Sequence, residues 1–157
     1  WNYSIDRKSG EQREQIDFHQ GYILMSLNSI KGLIDFDGWV ELDNAITRGL
    51  RFYYENQFNK NGVSKWRIPK NFPVEIHNQS QGIITFSSLH HRMDEYIGFA
   101  EKILKWTIKN MQDNVTGHFY YKKHKTFIHK ISYMRWSQAW IFLAFIHYFK
   151  TQKDYAV

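Results

Sequence analysis

One six-residue pattern, present three times, constrains this chain more than any other feature. His19-Gln20-Gly21-Tyr22-Ile23-Leu24, Ser80-Gln81-Gly82-Ile83-Ile84-Thr85 and Ser137-Gln138-Ala139-Trp140-Ile141-Phe142 each read polar, Gln, small, bulky apolar, Ile, variable. The glutamines stand 61 and 57 residues apart. A second echo runs beside it. Glu55-Asn56-Gln57-Phe58 is followed by Gly62 and Trp66, and Lys109-Asn110-Met111-Gln112 by Gly117 and Tyr121, both at an offset of 55. Repeats of this length, built from helix pairs, predict an α/α solenoid or toroid.

Hydrophobic periodicity supplies the helices. Helical spacing starts near Glu11 and includes Ile16, Tyr22, Ile23, Met25, Leu27 and Ile30, with Gly32 as a stop and Asp35-Phe36-Asp37-Gly38 as a turn. A second helix is expected from about Trp39 to Gln57, a third from His77 or Asn78 to about Leu89, a fourth from Met93 to Gln112 and a fifth from Tyr133 to Lys150. Both prolines, Pro69 and Pro73, fall between Val63 and His77, which reads as an extended connection. His118–Tyr121 and Thr126–His129 flank Lys122-Lys123-His124-Lys125, which reads as a β-hairpin or an extended loop. Residues 1–10 and the tail from Thr151 read as loop or frayed ends. The expected fold is all-α: a partial (α/α) toroid or superhelix of about five main helices, two and a half hairpins, in a single domain over residues 1–157. The helices with the Gln-small pattern form the inner row, and Gly21, Gly82 and Ala139 let neighbours approach. Trp140 to Phe149 is read as core. The chain is expected to be the C-terminal part of a larger toroid, with exposed inner-helix faces that favour self-association.

Composition excludes more than it assigns. With no cysteine, a disulfide framework and a thiolate zinc site are ruled out. No metal pattern, cofactor motif or membrane-length apolar run is present, so no cofactor, metal or membrane span is expected. A net charge of +6 suits an anionic partner without naming one. Basic residues are scattered apart from Lys122-Lys123-His124-Lys125, which reads as a solvated loop, and no nucleic-acid partner is expected. Localisation is open, with the cytoplasm favoured.

Asp17-Phe-His-Gln20, Lys65-Trp-Arg-Ile-Pro-Lys70, Pro73-Val-Glu-Ile-His77, Gln81-Gly82 and Tyr133-Met-Arg-Trp-Ser-Gln-Ala-Trp140 resemble the six-hairpin (α/α) toroid carbohydrate-active proteins. That group includes glycoside hydrolases, polysaccharide lyases and sugar epimerases. The likeness extends to uncharacterised bacterial proteins from surface-polysaccharide gene clusters. It implies a ligand cleft at the mouth of the toroid, near the starts of the inner helices.

Helix N-termini expose unpaired N–H groups and favour anions. With the cations of the proline segment, this suits an acidic sugar. The candidate catalytic residues are Asp17, His19, Glu75, His77 and Arg135. The candidate substrate-binding residues are Gln20, Lys65, Trp66, Arg67, Lys70, Asn78, Gln81, Tyr133, Trp136 and Gln138. Hydrolysis would need two carboxylates, Asp17 and Glu75. Lyase or epimerase chemistry would need a base, His19 or His77, and a charge stabiliser, Arg135. The reaction stays open at this point, and enzymatic activity with it. The alternative is a non-catalytic helical-repeat scaffold that binds a glycan or protein partner.

Overall fold

The computed structural model describes residues 2–31, 33 and 37–155; the expected stop at Gly32 and the Asp35-Phe36 part of the first turn lie outside them. Five α-helices dominate: α1 (His19–Ile30), α2 (Trp39–Phe52), α3 (Ile76–Ser88), α4 (Glu95–Met111) and α5 (Trp140–Tyr155). α1, α3 and α5 pack side by side as an inner row, while α2 covers α1 and α4 covers α3. This is the expected partial (α/α) toroid. π-helical turns extend α2 at Tyr53–Gln57 and precede α5 at Met134–Ala139. No helix among the described residues is long and apolar enough to cross a membrane.

α3 is the centre of the molecule. Every residue from Asn78 to Ser87 is buried, although only four of these ten are apolar or glycine. Most of the polar ones find partners inside, which offsets their burial, although Ser87 Oγ, Asn78 Oδ1 and Gln81 Oε1 have none. Ser80 Oγ donates to the Ile76 carbonyl and Gln81 Nε2 to Thr85 Oγ1. Gln79 reaches across to the preceding loop and to Thr107 of α4. The apolar part is an aromatic interior of Tyr53, Phe58, Phe86, Tyr96 and Phe99 in mostly edge-to-face contact.

The repeat is clearest in the turns. Asn59 Oδ1 accepts the N–H groups of Asn61 and Val63, and Gly62 follows at φ +79°. Asp113 Oδ1 accepts those of Val115 and Thr116, and Gly117 follows at φ +74°. Asp6 Oδ1 accepts those of Lys8 and Ser9, and Gly10 follows at φ +73°. The last two turns close identically, with the acidic residue's N–H bonded five residues on and the glycine N–H bonded back to its carbonyl. The N–H groups of Ser9 and Thr116 are the main reason Asp6 and Asp113 titrate below the usual carboxylate range.

Several expectations are corrected. The stretch from Glu11 to Phe18 is not helical: Gln12–Glu14 (β2) pairs antiparallel with Asn2–Ile5 (β1), so residues 2–14 form a hairpin rather than a frayed start. The Asp6–Gly10 turn supplies the reason. The second hairpin pairs Lys122–Lys123 (β4) with Ile128–His129 (β5), so its first strand lies inside the basic run, and Val74–Glu75 (β3) adds a third strand. α5 continues to Tyr155. Its apolar run is core on one side only: Ile141, Ala144 and Tyr148 are buried, whereas Phe142, Ile146 and Phe149 are exposed.

The small residues of the repeat also differ in role. A Cβ on Gly21 would meet Gln81 and Thr85 at 2.8 Å, so α1 and α3 do need that glycine. Gly82 faces the Phe58 ring instead of a neighbouring inner helix, and Ala139 is exposed.

Candidate functional site

The starts of the inner helices converge through rings. Phe18 stacks on His19 at 4.3 Å and lies 4.5 Å from His77. His77, at the start of α3, stacks on Trp140, at the start of α5, at 4.5 Å. Tyr22, one turn into α1, sets its edge against Trp140 and places its hydroxyl 2.5 Å from His77 Nε2. One aromatic cluster therefore fixes three helix starts from three distant parts of the chain.

Two histidines in this cluster have opposite surroundings. His77 is largely enclosed, and burial together with nearby His19 pushes its pKa down to about 4. Burial pushes Tyr22 up, so its hydroxyl stays protonated and donates to His77 Nε2. His77 is thus a neutral, ring-packed acceptor at neutral pH. His19 is exposed and oriented. Asp17 Oδ1 accepts from its Nδ1 at 2.8 Å, from its backbone N–H at 3.2 Å and from Gln15 Nε2 at 2.6 Å. With Nδ1 held as the donor, Nε2 carries the lone pair.

Asp17 and His19 open onto a cleft of about 580 Å³. Its other walls are Arg67 from the proline segment and, from the hairpin, Tyr3, Gln12, Arg13 and Glu14. Arg67 lies over the Trp66 ring at 5.1 Å. Among the described residues no group of three or more His, Asp or Glu could hold a metal ion.

The remaining candidates fall into three places. Asn78 is buried and donates to the Lys65 carbonyl at 3.0 Å, an acceptor shared with Gln57 Nε2 at 2.6 Å. It positions the segment that carries Lys65, Trp66 and Arg67, while the exposed Lys70 closes the Arg67 turn through its backbone N–H. Gln20 and Gln81 are buried within the helix layer. Gln138 is a clamp: Oε1 accepts the Phe119 N–H at 3.1 Å and Nε2 donates to the Phe119 carbonyl at 2.7 Å.

Tyr133 and Trp136 belong to a second aromatic group with Tyr121 and His129, above the three-stranded sheet. Arg135 is exposed on the same π-helical turn. Beside this group Glu75 pairs with Lys122 at 3.2 Å, and Lys122 lies over the Tyr121 ring. The structure therefore brings Asp17, His19, His77 and Arg67 to one end of the inner row, and no contact joins Arg135 or Glu75 to them among the described residues.

No family model matches the sequence, and no curated protein matches it. Among solved structures the chain is similar to a glycoside hydrolase of family 105 from C. acetobutylicum ATCC 824, with a TM-score of 0.70 at 15% identity. The match covers 91% of this chain and 42% of that one. The likeness is one of fold: the five helices of this chain follow the course of part of that hydrolase. The chain spans less than half the length of the hydrolase it resembles.

Tyr22, Phe18, Gln15, Tyr3 and Arg13 went unread in the sequence as site residues. The spacing of Phe18 and Tyr22, one helical turn apart at a predicted helix start, is the signal that could have found two of them. The hairpin residues were hidden by the helical reading of Glu11 onward.

Proposed function

We propose that this chain is a carbohydrate-active protein that takes an acidic glycan into the cleft beside α1 and moves a proton there with His19. The observation that carries this reading is the Asp17–His19 pair at 2.8 Å on the wall of that cleft. A carboxylate that orients an exposed imidazole makes an acid–base group, and Arg67 supplies positive charge to an anionic ligand. In an elimination, His19 Nε2 takes the proton alpha to the uronate carboxylate. The electron pair left behind forms the ring double bond and expels the glycosidic oxygen, which takes a proton from water while the abstracted proton stays on His19. In an epimerisation the same carbon regains a proton from the other face.

Hydrolysis is the second reading, favoured by the likeness to a glycoside hydrolase. It needs two carboxylates flanking the bond. Asp17 is engaged by three donors and Glu75 by Lys122. The test is incubation with a panel of uronate-containing polysaccharides, following unsaturated uronate ends by ultraviolet absorbance and new reducing ends in parallel. Both signals rising in wild type and neither in His19→Ala supports elimination. Reducing ends alone support hydrolysis. Glycan binding with no turnover and no new epimer supports a scaffold.

We also propose self-association through α5. Phe142, Ile146 and Phe149 form an exposed stripe along it. Beside them Gly117, Phe119, Met134, Ala139 and Phe145 line a groove of about 350 Å³. A stripe and a groove on one face are self-complementary, which suits a two-fold pairing in which each copy's helix lies beside the other's groove.

A further inference from the structure

Two chain segments that line the cleft repeat one arrangement. On the hairpin wall the Arg13 guanidinium lies over the Tyr3 ring at 5.1 Å. On the proline-segment wall the Arg67 guanidinium lies over the Trp66 ring, also at 5.1 Å. Arg13, Tyr3 and Arg67 all line the same space, with Asp17 and His19.

Some other cations among the described residues are engaged by acids. Lys122 meets Glu75, Arg92 and Lys31 meet Asp43, and Arg51 meets Glu55. Among the described residues neither Arg13 nor Arg67 has a carboxylate oxygen within 4.0 Å. Glu14 follows Arg13 on the same strand and lines the cleft, yet it does not pair with it. A guanidinium laid on a ring face is partly desolvated and fixed in orientation, and its fork of donors matches a carboxylate. Two such forks lining one cleft offer a carboxylate more than one donor pair.

We propose that Arg13 and Arg67 read the carboxylate of the ligand sugar, with the hairpin acting as a binding wall of the cleft. This rests on the reading of the cleft as an acidic-glycan site and names the residues that make it prefer acid to neutral sugars. The pair holds the ligand; proton transfer stays with His19.

The experiment is calorimetric binding of trisaccharides of glucuronate, galacturonate and mannuronate, each beside its carboxyl-reduced counterpart. The intact chain is compared with Arg13→Ala, Arg67→Ala, Arg13→Lys and His19→Ala. Thermal melts confirm folding, which the exposed positions of Arg13 and Arg67 favour. Arg13→Ala and Arg67→Ala each weaken a uronate trisaccharide about tenfold or more and leave its reduced form within about twofold. Arg13→Lys restores only part of the loss, because an ammonium lacks the fork. Equal loss for acidic and reduced sugars, or no loss for either, overturns the pair while leaving the cleft in place. Wild type binding none of the trisaccharides overturns the acidic-glycan reading and the pair with it.

Discussion

Asp17 Oδ1 and His19 Nδ1 lie 2.8 Å apart, and the same oxygen also takes the His19 backbone N–H and the Gln15 amide. Three donors on one carboxylate oxygen leave the imidazole little freedom to turn. If His19 is the proton-transfer group, Asp17→Asn disturbs its tautomer and His19→Ala removes it. Turnover of a responsive uronate glycan is expected to fall about 10²-fold or more in each. Because His19 is exposed, His19→Ala keeps its melting temperature. Steady-state kinetics beside a thermal melt checks both, and a loss of fold in His19→Ala would count against a purely catalytic role.

His77 makes an opposite, structural prediction. Its folded pKa of about 4 lies below the ordinary histidine value because burial disfavours the cation. The unfolded chain therefore binds the proton more readily between about pH 6.5 and 4. The stabilisation is complete above about pH 6.5 and is lost as pH falls toward 4, on the order of 3 kcal/mol across that window. Urea unfolding at several pH values should show a shallower decline for His77→Gln than for wild type. His91 and His147, also lowered by burial, leave a residual slope in both.

Much of the architecture was legible in residue spacing, and particular residues show why the rest was not. The Gln-small pattern aligned Gln81 with Gln138. In the fold, Gln79 does the work of Gln138: its Oε1 accepts the Ser64 N–H and its Nε2 donates to the Gly62 carbonyl, two residues apart, as Gln138 holds Phe119 two residues beyond Gly117. Sequence identity marked the helix, but the clamping role shifted along it. Trp140 opens an apolar run and packs against the core as expected, and its ring also stacks on His77 at the mouth. Only tertiary pairing decides which side of a ring is covered. Asp17, His19, His77 and Arg67 were legible as polar residues at helix starts or in a long loop. Arg13 was not, since a helical reading of Glu11 onward hides the β1–β2 hairpin that brings it to the cleft.

The repeated turns give a paired test. Gly62 and Gly117 share a positive φ, so alanine strains both by about 1–2 kcal/mol. Their surroundings differ. A Cβ at Gly62 would stand 2.7 Å from the Ile103 backbone nitrogen of α4, whereas at Gly117 the nearest atom is Gln112 Nε2 at 4.0 Å. Gly62→Ala must push α4 away from α3 and is expected to cost about 2 kcal/mol more than Gly117→Ala. Chemical unfolding of the two variants separates the shared backbone strain from the packing clash. Equal losses would mean that α4 yields freely.

Arg92 holds the opposite end of the helix layer. Its Nη2 donates to Asn28 of α1 at 2.9 Å and to Asp43 of α2 at 3.0 Å, and Nη1 reaches Thr47. The side chain is only 10% exposed, while Asp43 is 37% exposed and shares its charge with Lys31. Hydrogen bonds from Lys31 and Arg92 hold Asp43 down at about 2. Arg92→Ala strands the Asn28 acceptor but leaves Asp43 hydrated and still paired, so the expected loss is about 2 kcal/mol, below that of a fully buried pair. Arg92→Lys should recover little, since one ammonium cannot reach three acceptors in a plane.

The last prediction concerns α5. Phe142, Ile146 and Phe149 are 64%, 47% and 57% exposed, one helical turn apart in succession, next to the groove lined by Phe119 and Phe145. Three large apolar side chains in one row cost free energy in water that a covering surface recovers, roughly 1–2 kcal/mol each when fully buried. If a second copy supplies that surface, light scattering after gel filtration should show a dimer whose population rises with protein concentration. Phe142→Glu with Ile146→Lys should then give a monomer with an unchanged melting profile at low concentration, since neither side chain belongs to the buried core. A wild type that stays monomeric at the highest soluble concentration would leave the stripe uncovered by its own kind and refute the pairing.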